Sequence, residues 1–232
     1  MIGCFVLSAF SQVPPKDAEE EKPAPKKIDT VKVSYLPSGL RLGTDLIGIV
    51  RSPIDANYQG WEVNADVDFY RYYLAVDYGY WAIKEALKNG NFENGGNYFR
   101  IGADVNFLLK DPDRNMLFMG YRYGVSNFDH SVDYLLSKYF VQETQSYSDK
   151  GVKAHWMELT TGLRVKIWKM IWMGYTARFK FAPRASGYSE LQPYNVPGYG
   201  IFEKKIYWGF NYQIFIKIPF RKEEPVKSIL SK

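Results

Sequence analysis

Apolar and polar residues alternate with a period of two through most of the chain beyond residue 37. In the longest run Ile206, Trp208, Phe210, Tyr212, Ile214, Ile216, Ile218 and Phe220 share one parity, and Tyr207, Gly209, Asn211, Gln213, Phe215 and Lys217 the other. A strand sends successive side chains to opposite faces, so this period predicts a β-strand with one apolar face. Seven further segments read the same way: Leu40–Val50, Trp61–Phe69, Tyr72–Tyr80, Phe99–Phe107, Leu117–Val125, Met157–Ile167 and Ile171–Phe181. Their connections alternate in length. Short ones fall at Tyr70–Arg71, Lys110–Asp113 and Trp168–Lys169; long ones run over Ser52–Ala56, Lys84–Gly95, Asn127–Val152 and Ala182–Ile201. The expectation is an all-β fold, an eight-stranded antiparallel up-and-down transmembrane β-barrel over residues 37–220, whose short turns face one side of the membrane.

Alternation does not say which face is outside, and a soluble lipocalin-like carrier with an apolar interior is the rival. Gly43, Gly79, Gly102, Gly120, Gly124, Gly162, Gly174 and Gly209 all have the polar parity. Small residues are useful inside a narrow barrel and have no purpose on an open water face. The same parity carries charges of both signs, and buried charges must be paired. Asp45, Glu62, Asp66, Asp68, Asp77, Arg100, Asp104, Arg122, Glu158, Arg164 and Arg178 are therefore expected to form an ion-pair network in the lumen. On the apolar parity, Tyr78, Tyr80, Tyr121, Tyr123, Trp208 and Phe220 are expected in interfacial girdles.

Composition changes the picture at three points. The chain of 232 residues is 46% hydrophobic, yet its mean hydropathy is only −0.32. No uninterrupted apolar run is long enough for a membrane helix, whereas alternating strands give this low average naturally. The 17% aromatic share, from 19 Tyr, 15 Phe and 6 Trp, suits strands and excludes disorder for most of the chain. A formal charge of +5, gathered largely at the two ends, is too mild and too scattered to suggest nucleic acid.

At the start, residues 1–11 read MIGCFVLSAFS, a short apolar stretch closing on Ala9-Phe10-Ser11, as a truncated secretion signal would. Residues 12–36 are a Pro-rich, charged linker on the periplasmic side, and 221–232 a tail on the same side. One cysteine and two histidines exclude an internal disulfide and a structural zinc site, and no cofactor is expected.

Candidate chemistry is sparse. Ser126, Asp129, His130 and Ser131 cluster in sequence, but their spacing fits no nucleophile elbow, and His155 has the lipid-side parity. No catalytic residue is assigned. The segment Asn127–Val152 is too apolar for a solvated loop: Phe128, Tyr134, Leu135, Leu136, Tyr139 and Phe140 either pack down, continue the strands as a hairpin, or meet a partner.

The segments GWEVNADVDFYRYYLAVDYGY, YFRIGADVNFL, MGYRYGVSNF, AHWMELTTGLRVKIWKMIWMGYTARFKF and VPGYG resemble an uncharacterised family of Bacteroidota proteins with a domain of unknown function. The resemblance covers nearly everything after the linker, most closely at Ala154–Glu158. It implies a small outer-membrane β-barrel and carries no catalytic residue with it. The expected role is a non-catalytic scaffold or accessory subunit of an outer-membrane complex such as assembly or transport machinery. Its partners would be the outer-membrane lipids, lipopolysaccharide and phospholipid, and other outer-membrane proteins. An outer-membrane lipid-modifying enzyme and the lipocalin-like carrier are the alternatives.

Overall fold

The computed structural model describes residues 36–109, 111, 115–138, 141–189 and 191–220. The secretion signal, nearly all of the linker and the tail lie outside the described residues. The elements are β1 (Gly39–Asp45), α1 (Leu46–Ile54), β2 (Tyr58–Phe69), β3 (Tyr72–Leu87), β4 (Gly90–Asn106), β5 (Met116–Lys138), β6 (Val141–Trp168), β7 (Ile171–Ser186), β8 (Asn195–Val196), β9 (Gly200–Ile201) and β10 (Ile206–Pro219). Eight of them, β1–β7 and β10, form a closed antiparallel barrel in which chain neighbours pair. β10 closes the ring on β1 from Gly39↔Pro219 to Asp45↔Gln213. The remaining two, β8 and β9, make a separate short hairpin.

The polar parity points inward. Arg100 is 2% exposed and Asp104 and Glu158 0%, whereas Met119 is 56% and Trp208 67% exposed. This burial excludes the lipocalin-like arrangement, which needs the apolar face inside.

Three expectations about connections are corrected. The segment Leu46–Val50 is helix, not the end of the first strand. As a strand it would send Ile47 and Ile49 into the charged interior. As a helix it is capped by Asp45, whose carboxylate accepts from Gly48 N at 3.1 Å, and it leaves Ile47, Val50 and Ile54 facing out. Next, Lys84–Gly95 is no loop, because β3 and β4 stay paired as far as Leu87↔Gly90. Likewise Asn127–Val152 continues β5 and β6 as one long hairpin, paired to Lys138↔Val141 with an irregularity between Phe128 and His130. Along β5 the outward residues change from Leu117, Met119, Tyr121, Tyr123 and Val125 to Asn127, Asp129 and Ser131. The apolar band thus ends near Val125 while the paired strands run on.

Candidate functional site

The interior is filled in tiers. In the upper tier Arg178 Nη1 lies 3.0 Å from Glu158 and Nη2 3.1 Å from Asp77. Arg100 pairs with Glu62 and stands 3.5 Å from both Asp77 and Glu158. Tyr98 Oη donates to Glu62, Asn64 Nδ2 to Asp77 and Trp156 Nε1 to Glu158, each at 2.7 Å. In the lower tier Asp66 takes Arg41 on one oxygen and Arg164 on the other, both at 2.7 Å. Arg122 pairs with Asp104 at 2.7 Å. At the bottom Asp68 accepts from Ser38 and from Gly39 N, with Lys217 at 3.5 Å. Carboxylates removed from water need this many donors, since an unpaired buried charge is far more costly than a paired one.

One predicted network residue behaves differently. Asp45 accepts from Gly48 N and Tyr212 N and joins no ion pair among the described residues. Its position at the strand-to-helix junction makes it a cap, and its oxygens are spent on backbone.

Aromatic groups seal both ends of the charged zone. Below, Arg164 lies between the rings of Phe118 and Phe215, 4.7 and 4.8 Å from their centroids, and Arg41 lies over Tyr73 at 4.6 Å. Above, the β8–β9 hairpin folds into the barrel mouth. Val196 and Tyr199 are fully buried there against Tyr98, Phe128, Val152, Ala154 and Trp156. The turn is Val196-Pro197-Gly198-Tyr199, closed by Tyr199 N to Val196 O at 3.0 Å, with Gly198 at φ +81°. Proline second and glycine third is the pattern of a type II turn, in which the third residue needs positive φ. Lys180 Nζ donates to the carbonyls of Gly198 at 2.7 Å and Tyr199 at 3.1 Å, and Asn94 Nδ2 to that of Asn195 at 2.8 Å.

The hairpin plug, Lys180, Tyr98 and Trp156 are absent from the predicted site. Parity alone could have placed Tyr98, Trp156 and Lys180 inside; nothing local indicates that VPGYG turns inward.

The other predicted residues separate. Phe128 belongs to the interior cluster, Tyr134 is half-buried and Leu135 is 53% exposed on the hairpin extension. The side chain of Leu136, and residues Tyr139 and Phe140, lie outside what is described. Tyr78, Tyr121, Tyr123, Trp208 and Phe220 are exposed and Tyr80 is half-buried. Tyr121 is the middle member of the outward series Leu117–Val125, so it lies within the apolar band and not at its rim. Ser126 donates to Asn97 O at 3.1 Å. His130 lies on the same inward face four residues on, roughly 13 Å along the strand, so the two side chains do not meet. His130 Nε2 is 3.6 Å from Asp149 instead. Burial lowers the His130 pKa against the pull of Asp149, and hydrogen bonds from Ser189 hold the Asp149 carboxyl below its usual range. His155 faces outward beside Tyr123, their rings 6.2 Å apart. Among the described residues no three His, Cys, Asp or Glu side chains converge as metal ligands would.

The wall itself has a seam. β1 stops at Asp45, so β10 above Gln213 and β2 above Val63 lose their common neighbour. Helix α1 stands beside both strands, but its hydrogen bonds among the described residues go to the β2 side. Ser52 Oγ accepts from Gly60 N at 2.8 Å and lies 2.9 Å from Gly60 O, Thr44 Oγ1 donates to Glu62 O, and Tyr58 N donates to Asp55 O. Between α1 and β10 a pocket of about 160 Å³ remains. Ile47, Trp61, Trp208 and Phe210 surround its outer mouth, and Arg100 and Lys180 lie at its floor.

The family described as a domain of unknown function, DUF6048, matches residues 1–223. The chain belongs to that family. No curated protein matches it. Among solved structures, the crystal structure of CarO from Acinetobacter baumannii is similar at 12% identity and a TM-score of 0.38, over 80% of this chain and 98% of that one. Membership of DUF6048 assigns the chain to a group and leaves its chemistry to be read from the residues.

Proposed function

We propose that this DUF6048 protein is a membrane-spanning barrel of the outer membrane that works without catalysis, as an envelope scaffold or accessory subunit of an outer-membrane assembly. The observation that carries the reading is the inversion of an ordinary soluble protein: charged groups fill the interior while Trp, Tyr, Ile, Leu and Met face outward. An exposed apolar band of that size is compatible with water only when something apolar covers it, and a bilayer does so around the whole ring. The longer hairpins emerge on one side, as extracellular connections do in such barrels. The interior leaves no aqueous channel, because paired side chains and the β8–β9 plug occupy it. On this reading the protein works at its surfaces, and β5 and β6, the longest strands, extend farthest along the chain beyond the apolar band.

Two measurements test this. Fractionation with heat-modifiable migration on a detergent gel is expected to place the protein in the outer membrane as a folded barrel; recovery in the soluble periplasm without detergent refutes the membrane half. Crosslinking in intact cells followed by mild detergent extraction is expected to retain other envelope proteins. Repeated recovery of the barrel alone refutes the assembly half.

A further inference from the structure

We infer that the seam between α1 and β10 is a binding site for a membrane glycerophospholipid, which offers its phosphodiester and ester oxygens to donors left open in the wall. The inference rests on the membrane-spanning reading above.

Tyr212 N donates to Asp45 on the β1 side, Phe220 N donates to Ser38 O, and Lys217 N donates to Met170 O on the β7 side. Even-numbered residues of β10 thus turn their backbone groups toward β1, and odd-numbered ones toward β7. Trp208 and Phe210 continue the even series beyond the last β1 pair, so their N–H groups point into the seam. No described residue accepts from them. Both side chains are exposed on the apolar band, at 67% and 56%. In hydrocarbon an open backbone donor costs several kcal/mol, so a group from outside the chain is needed there.

Two more donors converge on the pocket. Trp81 Nε1 is buried with no partner, and Trp81 lines the cavity. Lys180 gives two N–H groups to Gly198 O and Tyr199 O, and its protonated form, which an anion beside it would favour, has a third. The side-chain acceptors of the lining, by contrast, are already engaged, and among the described residues only the backbone carbonyls of Trp208 and Phe210 share the open edge with their N–H groups. Asp45 holds two backbone N–H groups, and Glu62 holds Asn64, Tyr98 and Arg100. Spare side-chain donors with occupied side-chain acceptors, beside the basic Arg100 and Lys180, select an anionic ligand that brings acceptors, and a headgroup hydroxyl can meet the two open carbonyls. Phosphodiester and ester oxygens meet that need. The mouth fixes the remainder: Ile47, Trp61, Trp208 and Phe210 offer an apolar surface for acyl chains that stay in the bilayer. The cavity of about 160 Å³ has room for a phosphodiester with its glycerol. Arg51, which lies over the Tyr58 ring at 4.1 Å, adds a further cation to the lining.

The test uses the full chain folded into phosphatidylcholine vesicles doped with a phosphatidylglycerol that carries a diazirine near the carboxyl end of one chain. After illumination, label is expected to concentrate in peptides spanning Leu46–Ile54 and Ile206–Tyr212, above the level on the outward faces of β4 and β5. Phe210→Pro removes the open N–H without touching the β7 ladder, and Trp81→Phe removes the indole donor at nearly constant shape. Together they are expected to reduce seam labelling roughly tenfold, as the loss of two net hydrogen bonds would. Ile47→Trp, which fills the mouth, is expected to do the same, with heat-modifiable migration showing that each variant is folded. Labelling that is uniform around the barrel, or unchanged in folded variants, overturns the site and leaves the seam to water. Failure of the wild-type chain to insert at all would refute the membrane reading instead.

Discussion

Arg178 and Glu158 are diagonal neighbours on β7 and β6, with Nη1 and Oε2 3.0 Å apart and side-chain exposures of 2% and 0%. Glu158 also takes the indole N–H of Trp156 at 2.7 Å. Glu158→Ala leaves the guanidinium half-paired in a dry interior, and breaking a buried pair in this way costs about 3–5 kcal/mol. Urea unfolding in detergent micelles, followed by tryptophan fluorescence, is the measurement. A loss below about 1 kcal/mol would mean that water reaches this tier.

Close approach of backbone to ring makes a second prediction. A Cβ added at Gly124 would lie 2.4 Å from Trp156 Cε2. Gly124→Leu is therefore expected to destabilise the barrel by about 1–3 kcal/mol or more, seen as a reduced heat-modifiable fraction. Adding Trp156→Ala should restore part of it, because the two changes share one volume. Equal loss in the single and double variants would show that the clash is not with Trp156.

The plug is held by Lys180. Lys180→Met removes both hydrogen bonds to the Gly198 and Tyr199 carbonyls and is expected to expose residues 191–201 to limited proteolysis while the barrel stays intact. Conductance across planar bilayers should remain absent even when 193–201 are deleted. The lower tier of Arg41, Asp66, Arg164 and Asp104, with Phe118 and Phe215, still fills the bore. Steady ion conduction by the deletion variant would disprove the layered seal.

Acid is expected to loosen the β5–β6 extension. The folded pKa of His130 is lowered by burial, so the unfolded segment binds the proton more tightly. The stability contributed by neutral His130 is present at pH 7 and is lost as pH falls below the ordinary histidine value of about 6.5. Asp149, held low by Ser189, keeps its charge through that range and gives way only below the usual carboxylate pKa. Protection of the amides over Phe128–Val132, the exchange rate taken relative to its base-catalysed intrinsic rate, should fall between about pH 7 and 5. His130→Phe, placed among Phe92 and Phe128, should abolish that dependence. Unchanged protection in the wild type would contradict it.

The barrel was legible because its signal is local and repeated. Parity in Trp61–Phe69 or Phe99–Phe107 states which residues share a face, and glycine with paired charges on the polar parity states which face must be inside. The first strand misled because Ile47, Ile49 and Val50 suit a strand by propensity. Their inward members would have met charged groups, so Asp45 caps a helix instead. The hairpin extensions were hidden for a similar reason: once the outward residues turn polar, as at Asn127 and Asp129, apolar alternation ends although the backbone ladder continues.

The order of residues along the chain by itself determined strand number, antiparallel order and the division between an apolar outside and a charged inside. Each depends on period and on the cost of unpaired charge, both readable residue by residue. Tertiary structure alone decided which carboxylate meets which guanidinium, that VPGYG folds inward as a plug, and that the wall opens between α1 and β10. Those relations join residues far apart in sequence, such as Asp77 with Arg178 and Asn94 with Asn195, and are set by barrel closure and register. No periodicity along a single strand encodes them.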